Sequence, residues 1–337
     1  MSGFAIPVVL FIFKRVEATL RVVERIAQIR PEKLYLISDW GRDETENVLV
    51  TNCRRAVEDR IDWKCTVIKN YAVENRGIYD RIGLGAQWVF AKEPAAIFLE
   101  DDNLPELSFF EYCRQLLERY HDDSRVFWIC GTNYLGRYRP EDGSSYMFTK
   151  HLLPCGWASW ACKFLQYYDA DLDLFKDPQL VRRVKYEYLD RRLYGQQIES
   201  VRQEQERSRR GERYLSWDYH LAYSLRVNNL YGIAPQNNLI KNIGVDCFAE
   251  HGGSSFANMM TWRFCGMDSH PLEFPLTHPR SVLTDRTFEK KVGRLILYPL
   301  VARFKKQLGK VVKRLFGIAP HVSLTNAIKR LREAARK

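Results

Sequence analysis

The sequence predicts an α/β fold, a doubly wound and mostly parallel sheet followed by a basic helical C-terminal tail. Three observations lead there. Between Phe4 and Gly131, short β-rich runs alternate with helical patterns, as in βαβ units that place helices on both faces of a sheet. One of those runs stops abruptly in three consecutive carboxylates, Glu100-Asp101-Asp102. From Arg303 to Lys337, eleven Lys and Arg residues face the single acid Glu333, so the tail carries ten of the eleven net positive charges.

The strand candidates, in order, are Ile6 to Phe13, Leu34 to Ser38, Lys64 to Lys69, Ala95 to Leu99 and Val126 to Cys130. Between the first two, Val16, Leu20, Val23 and Ala27 recur at helical spacing. Asp43 with Glu46 forms a capping box for the next helix, and Ser108 with Glu111 repeats that signature ahead of Phe109 to Tyr120. After Tyr134 the alternation lapses. An aromatic segment, Gly156-Trp157-Ala158-Ser159-Trp160, is followed by a charged helical stretch from about Asp177 to Arg210 and a compact region from Trp217 to about His251. The expected organisation is a nucleotide-sugar-binding half over 1–135, an acceptor and catalytic-base half over 136–278, and a basic amphipathic tail over 279–337.

A chain of 337 residues suits one large domain or two fused pieces. Its 46% hydrophobic and 28% charged residues are those of a soluble globular protein. No stretch approaches the roughly 18 apolar residues of a membrane span. The longest, Pro7 to Phe13, lacks the basic leader and cleavage site of a secretory signal and reads as a buried first strand. The eight cysteines contain no Cys-x-x-Cys pair, which argues against a zinc ribbon or a redox motif, and free thiols in a reducing cytosol are expected. With the tail set aside the body is nearly neutral, so no nucleic-acid partner is expected.

Ligands of such sheets sit outside the carboxyl ends of the strands. That singles out Lys14-Arg15, Asp39-Trp40-Gly41, Asn70 and Glu100-Asp101-Asp102-Asn103. Ala95 to Leu99 is the continuous apolar run of a central buried strand. Three adjacent acids after it repel one another unless a cation or solvent relieves them. A hard divalent ion takes a few carboxylate oxygens and leaves positions for diphosphate oxygens. The plainer alternative is a solvated turn in which Asp102 or Asn103 caps a helix. Asp218, between Trp217 and Tyr219, is either a partly desolvated proton acceptor or a helix N-terminal acid favoured by the macrodipole. His251 is either a ligand or loop contact near phosphates or a structural or solvent-facing residue, and the Trp157 segment either stacks on sugar rings or packs in the core.

In their order, Phe98-Leu99-Glu100-Asp101-Asp102, Phe109-Phe110-Glu111-Tyr112-Cys113, Gly156-Trp157-Ala158-Ser159-Trp160, Trp217-Asp218-Tyr219 and Asn238-Leu239-Ile240-Lys241-Asn242-Ile243-Gly244 resemble bacterial nucleotide-sugar transferases. These in turn are similar to the Golgi N-acetylglucosaminyltransferases that add β-1,2-linked GlcNAc to mannose. The resemblance runs from about Ala5 to His251. It implies a GT-A fold, a UDP-sugar donor, Mn²⁺ or Mg²⁺, and inversion at the anomeric carbon. By it, Arg15 stands near the donor diphosphate and Asp39 hydrogen-bonds uracil. By it also, Asp102 ligates the metal, Asp218 is the catalytic base, and Gly156 and Trp157 form the acceptor-side wall. The acidic turn itself adds Glu100 and Asp101 as candidate donor-site residues, with His251 a candidate loop contact. Cys155 stands where bacterial members carry Trp, and Glu250 where they carry Thr, which bears on acceptor and donor-sugar choice.

The expectation is therefore a glycosyltransferase, moving a hexosyl or N-acetylhexosaminyl group from a UDP-sugar to a glycan or lipid-linked hydroxyl. Two other classes stay open: a metal-dependent phosphodiesterase or nuclease, which also clusters acids after strands, and a non-enzymatic membrane-binding module. In the tail, Val301, Phe304, Leu308, Val311, Val312 and Leu315 repeat at helical spacing among Lys305, Lys306, Lys310, Lys313 and Arg314. Such a helix either lies on an anionic membrane surface, each basic residue adding about 1 kcal/mol, or packs on the catalytic domain. The expected location is the cytoplasm, with the tail peripheral on the cytoplasmic membrane face.

Overall fold

The computed structural model describes residues 3–244 and 263–318. His251 and Glu250 lie outside the described residues. The chain divides into two compact units, one ending at Arg294 and one beginning at Leu295.

The first unit is built on an eight-stranded sheet in the order β3-β2-β1-β4-β8-β6-β9-β7. Its strands are β1 (Val8–Ile12), β2 (Lys33–Ser38), β3 (Thr66–Tyr71), β4 (Ala95–Glu100), β6 (Val126–Cys130), β7 (Tyr146–Thr149), β8 (Trp157–Trp160) and β9 (Tyr231–Pro235). Neighbours β3, β2, β1 and β4 are parallel, as are β6 and β9. Strand β8 runs against both β4 and β6, and β7 runs against β9. The α/β fold with a mostly parallel sheet is thus as expected, and the five anticipated strands are β1, β2, β3, β4 and β6. A separate antiparallel ribbon pairs β5 (Asn103–Pro105) with β10 (Ile240–Asn242).

The helices of this unit are α1 (Val16–Ile29), α2 (Glu44–Asp59), α3 (Gly85–Phe90), α4 (Leu107–Arg119), α5 (Ala161–Tyr167), α6 (Pro178–Arg183), α7 (Arg191–Arg209), α8 (Trp217–Val227) and α9 (Arg286–Ile296), the last running two residues past the boundary. The second unit contains α10 (Leu300–Leu315). Helix α1 buries Thr19, Val22, Val23 and Ile26, a stripe at i, i+3, i+4 and i+7. Asp43 caps α2 by accepting from Glu46 N at 2.9 Å, but the Glu46 carboxylate turns to Arg42 and Lys14 instead of completing the box. The second anticipated box is corrected. Helix α4 starts at Leu107 with Glu106 as its N-cap, and Ser108, already inside the helix, accepts from Leu272 N at 3.0 Å.

Buried Ile97, Phe98 and Leu99 make β4 the central strand. The parallel strands deliver their last residues to the same edge of the sheet, where α1 and α2 begin after β1 and β2, and that edge carries the candidate site. Among the described residues, no helix is long and apolar enough to cross a membrane. The seven described cysteines are unpaired thiols.

Candidate functional site

The carboxyl ends of β1 and β4 lie side by side because Phe11 registers with Glu100. The turn after β4 therefore meets the chain leaving β1. Asp101 is buried and accepts from Phe13 N at 3.2 Å and from Arg15 Nη2 at 2.6 Å. The same Arg15 nitrogen lies 2.9 Å from Asp102 Oδ2, while its other terminal nitrogen donates to Gly244 O at 3.2 Å. One guanidinium thus bridges two adjacent acids and reaches the segment after β10. Burial works against the Arg15 charge, but Asp101 and Asp102 outweigh it and hold the guanidinium ionised.

The acidic turn is fixed from its other side by the β5/β10 ribbon. Ile243 N donates to Asp102 O at 2.8 Å, Asn103 Nδ2 donates to Asp102 Oδ1 at 2.6 Å, and Gly156 N donates to Asn103 Oδ1 at 2.9 Å. Asn103 is fully buried, so it links three sequence-distant segments. The helix-cap alternative for Asp102 and Asn103 does not hold: both serve this ribbon, and the helix that follows starts at Leu107. Glu100 differs from its neighbours, accepting no hydrogen bond among the described residues. Burial pushes its carboxyl well above the usual range, with Asp102, Asp101 and, more weakly, Asp218 adding to the push against the pull of Arg15.

Aromatic packing links this turn to the second candidate site, since Trp217 packs on Trp157 and Trp157 on Phe98 of β4. Asp218 follows buried Trp217 in the first turn of α8. Ser216, the N-cap, accepts from Tyr219 N at 3.4 Å and donates from the same hydroxyl to Asp218 Oδ1. Burial raises the Asp218 carboxyl above its ordinary value, with Ser216 opposing. Asp218 is thus a first-turn acid, as one sequence reading has it, and burial desolvates its carboxyl.

Trp217 leans on Trp157 and Trp128, ring centroids 5.9 and 6.2 Å away. Trp157 in turn stacks on Phe98 of β4 at 3.8 Å and on Trp128 at 4.1 Å. At 1% exposure the Trp157 ring cannot face a sugar, so its expected place at an acceptor-side wall is corrected to core packing. Truncating it to Ala would cost about 3–5 kcal/mol. Gly156 is buried as well, with φ +62° and Ile240 filling the space a side chain would need.

Asp39 begins the loop after β2 with its carboxylate fully engaged. Trp40 N and Arg76 N donate to Oδ1, both at 2.9 Å, while Gly77 N at 2.8 Å and Asn75 Nδ2 at 3.2 Å donate to Oδ2. A carboxylate has about four acceptor positions, so Asp39 holds residues 75–77 in place. Beside it, buried Arg81 donates to Asn70 O and Oδ1 from a π-helical turn, Tyr79–Leu84, while its Nε has no partner among the described residues. π-Helical turns gather at functional sites. Arg81 and Ser216 escaped sequence reasoning, because the first acts from a π-helical turn on remote Asn70 and the second through its N-cap geometry.

No family model matches the chain, and no curated protein matches it in sequence. Solved structures similar to it include a mannosyltransferase from Pyrobaculum calidifontis in complex with GDP-Man and Mn²⁺, 14% identical, covering 48% of this chain and 45% of its own, with a TM-score of 0.32. Mouse xyloside xylosyltransferase 1 in its apo form is 11% identical and covers 82% of this chain and all of its own, with a TM-score of 0.38. A UDP-glucose pyrophosphorylase complexed with UDP-glucose is 10% identical over 71% of this chain and 94% of its own, with a TM-score of 0.35. This chain spans less than half of the mannosyltransferase. Likenesses this remote carry no weight for activity, which must be argued from the chain's own residues.

Proposed function

We propose that this chain is a metal-dependent, inverting glycosyltransferase of the GT-A kind that moves a sugar from a UDP-sugar to a glycan or lipid-linked hydroxyl. The observation that carries the proposal is the clustering of Arg15 with Asp101 and Asp102 at one edge of the sheet, linked to the Asp218 turn through the stacked Phe98, Trp157 and Trp217 rings. Clustered cation, acids and a desolvated carboxyl suit a reaction with a diphosphate leaving group and an alcohol nucleophile.

A divalent ion fits this donor set in one way. Among the described residues no three His, Cys, Asp or Glu side chains converge to cage a metal. Mg²⁺ and Mn²⁺ are commonly held by one or two carboxylates, with substrate phosphates and water completing the shell. Asp102 would hold the ion, with Glu100 beside it, and the ion would neutralise charge developing on the diphosphate. Arg15, already at the acids, would turn its remaining N–H groups to a phosphate oxygen. Asp218 would accept the acceptor's hydroxyl proton while Ser216 holds its carboxylate in place. A uracil contact at Asp39 would replace one of four existing hydrogen bonds, so we place the base against the 75–77 loop that Asp39 shapes.

In the tail, Val301, Phe304, Leu308, Val311 and Leu315 are 52–76% exposed on α10. An uncovered apolar stripe among cations supports attachment to an anionic membrane surface, where a lipid-linked acceptor would reside. The test of the activity is Mn²⁺-dependent release of UDP from a panel of UDP-sugars, with DNA and phosphodiesters as controls. Cleavage of the controls with no turnover of any UDP-sugar would overturn the proposal.

A further inference from the structure

At the opposite end of the sheet lies a pocket of about 200 Å³. It opens beyond the last residue of β7, whose Thr149 registers with Gly232 near the start of β9, so it sits at the amino ends of the parallel strands. Strand β7 is also four places from β4 in the sheet, about 19 Å at ordinary strand spacing. The acidic turn and this pocket are therefore separate places on one body.

The pocket is lined by Arg192, Arg226, Lys290 and Arg294, against two carboxylates, Asp190 and Glu289. Both acids are already engaged. Asp190 caps α7 and pairs with Arg192 at 2.6 Å, and Glu289 accepts from Thr149 Oγ1 and from Lys150 N. Arg226 is 2% exposed, yet no carboxylate lies within ion-pair distance of it among the described residues. Its guanidinium stands 3.9 Å over the Tyr188 ring and donates to Glu187 O and, at 3.3 Å, to His151 Nδ1. His151 accepts there because its Nε2 donates to Glu289 O at 3.0 Å, and burial lowers its pKa and keeps the ring neutral. Two of the five N–H groups of Arg226 thus have partners, leaving donor capacity at the pocket.

Lys290 and Arg294 stand one helical turn apart at the rim, exposed and without ion-pair partners among the described residues. Between them Gly293 is buried, keeping the helix surface low where the pocket meets His151 and Leu193. Four cations against two carboxylates already engaged elsewhere, two of those cations unpaired at the rim among the described residues, leave excess positive charge that an anion would relieve.

We propose that this pocket is a second anion site, binding a phosphate or diphosphate group through Arg226, Lys290 and Arg294. The group belongs either to a soluble phosphate compound or to an anionic lipid headgroup, and the probes separate the two. The full chain is titrated with inorganic phosphate and pyrophosphate by calorimetry, and with vesicles of phosphatidic acid in phosphatidylcholine by flotation. Hydrogen exchange follows the segments 188–193 and 286–294. The expected result is binding that protects those segments, weakens about tenfold or more in Lys290→Gln/Arg294→Gln, as loss of charge-assisted hydrogen bonds implies, and persists in Arg15→Gln. Soluble probes that bind identify a free phosphate compound, whereas vesicle binding that protects both segments while soluble probes fail identifies a headgroup. Flotation without that protection is the work of the tail and counts against the site. Because both substituted residues are exposed, the double variant tests the site without disturbing buried Arg226. Failure of all probes, equal binding by the double variant, or loss of binding in Arg15→Gln would overturn the proposal, the last by placing the anion at the acidic turn.

Discussion

A Cβ on Gly244 would press into the Asp102 carboxylate and stand 2.6 Å from Arg15 Nη1. The segment that closes the acidic turn has no room for a side chain, although the backbone there is not in a glycine-only conformation. Gly244→Ala should part Arg15 from Asp102 and lower Mn²⁺-dependent UDP affinity by about tenfold, the loss of one charge-assisted hydrogen bond. Calorimetry on the folded variant is the check, and wild-type affinity would separate this glycine from donor binding.

Asp102→Asn should remove most of the metal-dependent part of donor binding. Asp101 stays behind to hold Arg15, so the thermal transition should change little. If Mn²⁺ still strengthens UDP binding to the same degree in this variant, the metal is held elsewhere.

Asp218→Asn should bind donor normally but transfer sugar about 10²-fold more slowly or worse, the usual weight of a general base. Ser216→Ala offers a finer test. Burial already raises the Asp218 carboxyl, and Ser216 opposes that rise, so removing the hydroxyl should raise it further. A base must be ionised to act, so the rate falls as pH drops through its pKa. The acid limb of the kcat profile should therefore move to higher pH in Ser216→Ala, at the cost of about 1 kcal/mol of helix capping. An unmoved limb would mean that another group sets it.

Lys163 is buried in the first unit and donates from Nζ to Tyr120 O at 2.6 Å and to Asp123 O and Val126 O, both at 2.9 Å. It lies 3.7 Å over the Trp160 ring, joining the end of α4, the start of β6 and α5. Lys163→Met should leave three carbonyls without their donor and destabilise the fold by about 3 kcal/mol or more. Urea unfolding measures this, and a loss under about 1 kcal/mol would mean that water replaces the ammonium.

Removing residues 295–337 should leave a folded first unit that still hydrolyses donor but no longer floats with anionic vesicles at low salt. Removal from residue 279 onward should instead unfold it. That cut strips away Asp285, which accepts from Tyr138 Oη at 2.9 Å, and Glu289, which receives Lys150 N at 2.7 Å. Flotation and circular dichroism of both truncations decide the matter. If the shorter tail deletion floats as well as the full chain, α10 is not the membrane contact.

Much of this was legible in the chain itself, wherever the cause is local. Alternating apolar runs and helical stripes mark the parallel strands and α1 because side-chain periodicity depends on residues only a few positions apart. Apolar β4 ending in three acids marks the turn for the same reason, and the spaced apolar residues of α10 mark its stripe. Remote contacts were not legible. Ser108 and Glu111 have the letters of a capping box, but the Ser108 hydroxyl serves Leu272, 164 positions away. Trp157 has the look of a sugar platform until antiparallel β8 enters between β4 and β6 and stacks it on Phe98. The meeting of Arg15 with Gly244, of Trp217 with Trp157, and of Arg226 with His151 likewise required the folded sheet. Hydrogen bonds and charges act over a few ångströms of space, and chain order alone does not say which distant residues will share it.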